Sequence, residues 1–383
     1  MTRRAVIAAY LRSPFTPARK GELASTRPDE LLGQVVRGLV AKTGIDPADI
    51  EDLICGCAFP EGEQGLNIGR IAVFLAGLPQ SVAATTTNRY CGSSMQAVHQ
   101  AAGAIALGSG EVFICAGVES MSRVPMWGFN VLPHPGLTRD YPEAFVSMGL
   151  TAENVARDWK ITRQAQEEFA LRSHQRAAKA QAAGLLDAEI QPITAVAGKG
   201  SIIVSRDGCI RGETTLEGLA GLKTPFLNDG SVTAGSSSPL TDGATALLVC
   251  SEDYAIRNNL TPLALIRSTA VAGCAPEIMG IGPVPASRKA LHRAGISARD
   301  LSVVELNEAF AAQSLACVQD LEIDPVIVNP HGGAIALGHP LGATGARLVG
   351  KAASLLQSQK GRYALASQCI GGGQGIATVL EAL

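Results

Sequence analysis

Two rhythms of apolar spacing, one of period two and one of helical period, alternate along the 383-residue chain. Residues 5–9 read as a first strand. Leu31, Leu32, Val35, Val36, Leu39 and Val40 recur at helical spacing, which predicts a helix over 29–43 with Gly44 as its stop. Residues 52–58 read as a short buried strand. Residues 92–107 are rich in small side chains, with Met95, Val98, Ala102 and Ile105 on one stripe, and predict a buried helix. Residues 112–117 form the next strand. Such alternation belongs to α/β layering, with helices packed on sheets.

The rhythm fails between 122 and 149, a stretch carrying Pro125, Trp127, Phe129, Pro133 and Pro135. It returns for a helix from Thr162 to Ala183 and fails again over 192–241. Residues 121–239 therefore read as an elaborated insertion, and long irregular stretches of this kind commonly form lids or substrate loops. Beyond it the opening pattern recurs: a helix at 285–294, a strand at 303–306, a helix from about 309, a strand at 326–328, a helix at 342–358 and strands at 363–368 and 376–380. The expectation is two similar halves. Residues 1–120, completed by about 240–261, form the first, and 262–383 form the second.

Hydrophobic residues make up 46% and charged residues 17%, the balance of a globular chain and not of a disordered one. With a net charge of -2 and no basic block, the chain has no footprint for nucleic acid. Nine cysteines, an odd number without repeated spacing, suit a reducing compartment, and a cytoplasmic location is expected. Cys55 and Cys57 have no metal-ligand spacing and read as buried strand thiols; no metal is expected. No apolar run reaches the roughly 20 residues of a membrane span. The opening run is broken by Arg12 and reads as a strand, not a signal peptide. Gly371, Gly372, Gly373 and Gly375 resemble a dinucleotide loop only superficially, because a strand and not a helix follows them.

Four strand-to-loop junctions carry chemistry. Cys91, in Asn88-Arg89-Tyr90-Cys91-Gly92-Ser93-Ser94-Met95, sits at the start of a buried helix. There, free N–H groups and the helix dipole favour a thiolate and lower a thiol's pKa. A structural cysteine at a helix start fits the same segment. His331 and His339 lie in a Gly-rich loop before a helix, and Pro340 stiffens it after His339; either is a general base or merely satisfies backbone groups. Cys369 ends a strand and enters a turn. Asn307 follows another strand, where an amide orients a water or donates to an oxyanion.

Taken together and in order, the segments NRYCGSSMQA, GVESMSRVPM, TAGSSSPLTDGA, NEAFAAQ, HGGAIALGHPLGATGAR and CIGGGQGIA resemble the thiolase family over essentially the whole chain. The resemblance implies a thiolase fold: two duplicated α/β/α halves in a five-layer αβαβα core, with an inserted loop domain that holds coenzyme A. It implies that Cys91 attacks a 3-ketoacyl-CoA and carries the acyl group as a thioester, that His339 activates the thiol, and that Asn307 holds a water of one oxyanion hole. Cys369 exchanges the second proton, and the N–H groups of Cys91 and Gly371 receive the acyl oxygen. Coenzyme A contacts carry over to Arg211, Ser238, Met148 and Phe310, Arg211 on the loosest match. Coenzyme A is implied as substrate, with no prosthetic group. His331 stands where the family usually has Asn and is given no role beyond the loop. The stretches GIGPV and PVPASRKAL, together with the short loop after Ser122, look more like degradative 3-ketoacyl-CoA thiolases of β-oxidation than acetoacetyl-CoA thiolases, the alternative. A non-catalytic acyl-CoA or lipid-binding relative is the distant alternative, and the second cysteine speaks against a ketoacyl synthase. A homodimer or homotetramer, and association with other β-oxidation enzymes, are expected from the resemblance.

Overall fold

The structure is a computed structural model that describes residues 3–383. The first half runs through β1 (Ala5–Arg12), a two-residue β2 (Thr16–Pro17), α1 (Pro28–Thr43), β3 (Asp52–Gly56), α2 (Ile68–Leu75), β4 (Ala83–Thr87), α3 (Ser93–Leu107) and β5 (Val112–Ser120). The inserted stretch contains α4 (Pro135–Asp140), α5 (Met148–Asp158), α6 (Arg163–Ala182), the hairpin β6 (Ile193–Ala197) and β7 (Gly200–Val204), and α7 (Leu216–Ala220). The chain then returns through β8 (Thr241–Ser251) and α8 (Glu252–Arg257). The second half is β9 (Ala264–Gly273), α9 (Pro283–Ala294), β10 (Leu301–Leu306), α10 (Ala311–Asp320), α11 (Ala334–Leu337), α12 (Leu341–Ser358), β11 (Tyr363–Ile370) and β12 (Gln374–Glu381).

Strand order makes the duplication visible. From the seam outward, the first half reads β1–β8–β5–β3–β4 and the second β9–β12–β11–β10. In each, the two strands nearest the seam run antiparallel, and the pairs farther out, β5–β3–β4 and β11–β10, are parallel. The seam is short: Val6 pairs with Leu265 and Ile7 with Ala264. Residues 326–328, expected as a strand, instead form a tight 3-10 turn started by Pro325, with one parallel bridge from Val328 to Val304. Pro325 has no N–H to give a ladder, and the Asp324 carboxylate accepts the Val326 N–H and closes the turn.

Five layers follow from which side chains share a core. One cluster packs α1 and α2 on the outer face of the first half-sheet, through Leu32, Val36, Leu39, Val73, Ile114 and Leu248. Another packs α9 and α10 on the second, through Ala290, Leu291, Cys317, Leu365 and Val379. Between them Met95, Val98, Ile105, Leu348, Val349 and Ala352 of α3 and α12 meet the inner faces of both half-sheets. Strand alternation makes this possible: on β5, Phe113 and Cys115 face the central layer while Ile114 and Ala116 face outward. A register shift between Ile7 and Ala9 adds a residue to β1, so both Ala8 and Ala9 face outward and the alternation resumes at Tyr10.

Local chemistry sets the helix ends. α1 starts with Pro28, carries Asp29 and Glu30 in its first turn, and stops at Gly44, left-handed with its N–H on Val40 O. The insertion has more regular structure than its composition suggests; α4, α7 and the hairpin strands, of five or six residues each, are too short for a periodic signal. No helix among the described residues is long and apolar enough to cross a membrane.

Candidate active site

The C-terminal ends of the parallel strands β4, β5, β10 and β11 carry the candidates, the usual ligand edge of an α/β sheet: Glu119 and Cys369 are the penultimate residues of β5 and β11, and Cys91 and Asn307 lie just after β4 and β10. Cys91 lies in a tight turn between β4 and α3. Tyr90 is held left-handed, at φ 44, and the turn is braced at several points. Asn88 Oδ1 accepts the Tyr90 N–H at 2.8 Å, Ser93 Oγ donates to Tyr90 O at 2.6 Å and accepts the Arg89 N–H at 2.9 Å. From the other half, the Gln368 side-chain amide donates to the Cys91 carbonyl. A strained, over-determined turn of this kind is characteristic of a residue held for chemistry.

The Cys91 thiol does not follow the expectation of a helix-stabilised thiolate. Burial pushes it up to about 12, against the pull of the Gly371 and Cys91 backbone N–H groups, and Glu119 adds to the rise. One of these N–H groups is Cys91's own, just before α3, and the other comes from the turn after β11; together they do not offset the lost hydration, and the thiol stays protonated at neutral pH. The same two N–H groups are the ones expected to receive an acyl oxygen. Cys369, at the end of β11, is also pushed up, by burial first and then by repulsion from Cys91 when both ionise, which places the two thiols within electrostatic reach of each other.

His339 is buried, and burial alone lowers its pKa to about 4. Its Nδ1 lies 2.7 Å from Thr344 Oγ1 and its Nε2 3.3 Å from Asn307 Nδ2. An amide NH2 only donates, so Nε2 is the acceptor and Nδ1 carries the proton toward Thr344. A neutral imidazole with a bare Nε2 is a base that accepts a proton. Asn307 Oδ1 is buried without a partner, an acceptor suited to a water O–H. Around Asn307, the Asn329 side chain pairs with both backbone groups of Leu306, at 2.9 and 2.8 Å, and the buried Glu308 carboxylate accepts from Ser173, Asn329 and the Ile335 N–H.

Three of the four coenzyme A candidates converge beside Cys369. Met148, the first residue of α5, packs with Phe310, Ala309, Met279 and Cys369. A carbon on Gly371 would stand 3.6 Å from the Met148 sulfur. Ser238 donates its N–H to Ala309 O at 3.0 Å, and Ser237 bridges to Phe310. Phe226, not singled out in the sequence, sets its ring edge-on to Phe310 at 6.2 Å. Arg211 is not part of this group: it is exposed, and its N–H bonds to His174 Nδ1 of α6 at 3.2 Å. His331 Nδ1 is buried without a partner, in the loop that packs on α6 through Gly332. On the other side of Cys91 stand Met121, Leu341, Phe59 and Met126, with Phe59 6.1 Å from Tyr90 and 6.3 Å from Trp127 between ring centres. Among the described residues no group of three or more His, Cys, Asp or Glu side chains could hold a metal ion.

Sequence reasoning did not find Glu119, Thr344, Gln368 or Asn329 as functional supports. The first two lie inside quoted segments, but nothing in a segment says which buried donor a side chain meets.

The chain matches the thiolase N-terminal domain model over residues 5–253 and the thiolase C-terminal domain model over residues 260–382. Proteins named 3-ketoacyl-CoA thiolase are similar over nearly their whole length. That of Aliivibrio fischeri is 49% identical, over 98% of both chains. That of Pseudoalteromonas translucida is 50% identical, also over 98% of both. The crystal structure of the Bacillus anthracis acetyl-CoA acetyltransferase superposes with a TM-score of 0.92 at 40% identity, covering 100% of this chain and 99% of that one.

Proposed function

Because the chain belongs to the thiolase family, we propose that it is an acyltransferase that cleaves 3-ketoacyl-CoA with coenzyme A, giving acetyl-CoA and a shortened acyl-CoA, through a thioester on Cys91. The observation that carries this reading is the packing of Cys91 against Leu341 of the His339 loop, with Cys369 in electrostatic reach and an unprotonated His339 Nε2 facing Asn307. Cys91 is the nucleophile. As its sulfur bonds to the 3-keto carbon, its proton passes to His339 Nε2. The C2–C3 bond then breaks and leaves the acyl group on Cys91. The departing acetyl-CoA enolate takes the Cys369 proton. Coenzyme A next attacks the thioester: its thiol proton goes to the Cys369 thiolate, and His339 returns its proton to the Cys91 sulfur. Covalent catalysis thus divides one difficult step into two. The N–H groups of Cys91 and Gly371 receive the oxygen of the acyl group, and His339 with a water on Asn307 receives that of the enolate. An oxyanion donor of this kind is worth about 10²–10³ in rate.

Met148, Phe310 and Ser238 suit the pantetheine end of coenzyme A, since their cluster reaches Cys369. Arg211 suits a phosphate through its exposed charge. The enzyme needs no prosthetic group in this scheme and works in the cytoplasm as a homo-oligomer, within fatty-acid β-oxidation. The higher identity to proteins named 3-ketoacyl-CoA thiolase supports a broad substrate class over acetoacetyl-CoA alone. The test is to incubate with a 3-ketoacyl-CoA, quench, and map the acyl group by peptide mass spectrometry. Acylation at Cys91 is expected, and acylation at Cys369 instead would overturn the roles. Rates across chain lengths separate the two substrate readings, with activity confined to the four-carbon substrate favouring acetoacetyl-CoA.

A further inference from the structure

We propose that Glu119 is a positioning residue of this reaction, a buried anion that holds the Cys91 loop of the first half in register with the His339 loop of the second. The inference rests on the roles proposed above for those two residues. Glu119 stands near the end of β5 and is 1% exposed, too deep for water to solvate it. Its Oε2 accepts the Ala58 N–H at 2.8 Å and the Gly342 N–H at 2.9 Å. Its Oε1 accepts the Gln64 side-chain N–H at 2.8 Å and the Phe59 N–H at 3.2 Å. Burial raises the carboxyl's pKa, and the four N–H donors pull the other way; they favour the ionised form, because a protonated carboxyl would place its own O–H among donors.

The bonds run to both catalytic loops. Gly342 is the second residue of α12 and lies three residues after His339, so the anion sits on that helix's N-terminus, where the dipole favours it. Ala58 accepts the Asn88 side-chain amide at 2.9 Å, and Asn88 holds the Tyr90 N–H beside Cys91. Phe59 carries the ring that faces Tyr90. Gln64 is fixed in turn by the Ser120 N–H, at 2.6 Å. Position 342 has room for no side chain: an added carbon would come within 2.9 Å of Glu119 Oε2 and 2.8 Å of Cys57 Cα. The titratable groups that feel the carboxylate are Cys55, Cys57 and Cys91, each with its thiol pushed up partly by that charge. Asp242, on the neighbouring β8, is bonded instead to Ser120 and Ser122. Loss of the anion therefore does two things at once. It frees the two loops to drift relative to each other, and it removes a negative charge from beside the Cys91 thiol.

The test compares the full-length protein with Glu119→Gln and Glu119→Asp, each confirmed folded by thermal melting. Glu119→Gln should lower kcat on the order of 100-fold, the cost of a misplacement near 1 Å. KM should stay nearly unchanged, because no substrate contact is removed. The pH profile of Cys91 alkylation by iodoacetamide should move to lower pH, a change that a scaffold role alone would not produce. Glu119→Asp keeps the charge and should keep the profile. A folded Glu119→Gln with unchanged kcat and profile, or with its loss in KM alone, overturns the proposal. If Glu119→Gln does not fold, Gln64→Met serves: with one donor gone, the anion is protonated more easily, and the acid limb of kcat should move to higher pH. An unmoved limb overturns the proposal. Acyl trapping on Cys91 in the unsubstituted protein tests the parent reading separately.

Discussion

At Cys91 two opposing effects meet, and burial wins. A helix start with free N–H groups lowers a thiol's pKa when the sulfur stays solvated; here the sulfur is enclosed, and it is pushed up to about 12. Nearby His339 is lowered to about 4 by the same cause. The resting pair is therefore thiol and imidazole, not thiolate and imidazolium. Between pH 5 and 10 the free enzyme should show Cys91 alkylation rising steadily with pH, with no plateau near neutrality. A plateau beginning near pH 7 would mean a resting ion pair and would falsify this assignment. His339 has a linked effect on stability. Its folded pKa lies below the unfolded value of about 6.5, so its contribution is present above that value and is lost as pH falls toward about 4. The candidates Cys91, His339, Asn307 and Cys369 were legible because each is a reactive side chain at a strand-to-loop junction. Glu119 and Thr344 were not, because their roles reside in bonds to partners elsewhere in the fold, up to 223 residues away for Glu119 and Gly342.

Among the elements, the crossing of α3 and α12 matters most, since it brings the helix that follows Cys91 against the helix that follows His339. Small residues allow the approach. An added carbon on Gly345 would collide with the Met95 backbone N–H, and Ser94 Oγ accepts the Ala346 N–H at 2.8 Å across the contact. Gly345→Val should force the helices apart and cost about 1–3 kcal/mol, as overpacking does, read as a lower urea midpoint; kcat should fall with it, because both active-site loops lead into these helices. Long periodic elements such as α1, α3 and α12 were visible in the apolar spacing. The segment at 326–328 was misread as a strand because Val326, Ile327 and Val328 carry strand propensity, whereas Pro325 and Asp324 close a turn. α5 and the β6–β7 hairpin were not visible, since their stability comes from packing on the core and not from local spacing.

On the scale of the molecule, the insertion is tied to the core by a buried ionic group. Arg12 of β1 forms two bonds to Asp207, each at 2.7 Å, and one to Glu189 at 2.9 Å; Lys351 of α12 meets Glu189 at 2.7 Å. Burial alone would raise Glu189, but Lys351 and Arg12 together hold it down to about 2. Its contribution to stability is present above the unfolded value of about 4.3 and is lost as pH falls toward about 2. Lys351→Met leaves the buried carboxylate short of a partner and should cost about 3–5 kcal/mol. Denaturant unfolding at pH 7 measures this, and the cost should shrink as the pH is lowered, because without Lys351 the Glu189 carboxylate takes up a proton at a higher pH.

The sequence by itself determined the family, the α/β class and the candidate reactive residues, because ordered motifs and apolar spacing are local properties that survive without coordinates. Tertiary structure alone decided the protonation states, the tautomer of His339 and the grouping of Met148, Phe310 and Ser238 beside Cys369 with Arg211 left outside. It also decided the place of Glu119 between the halves. Each of these depends on what surrounds a group once water is excluded, and for these groups that surrounding is assembled from segments hundreds of residues apart.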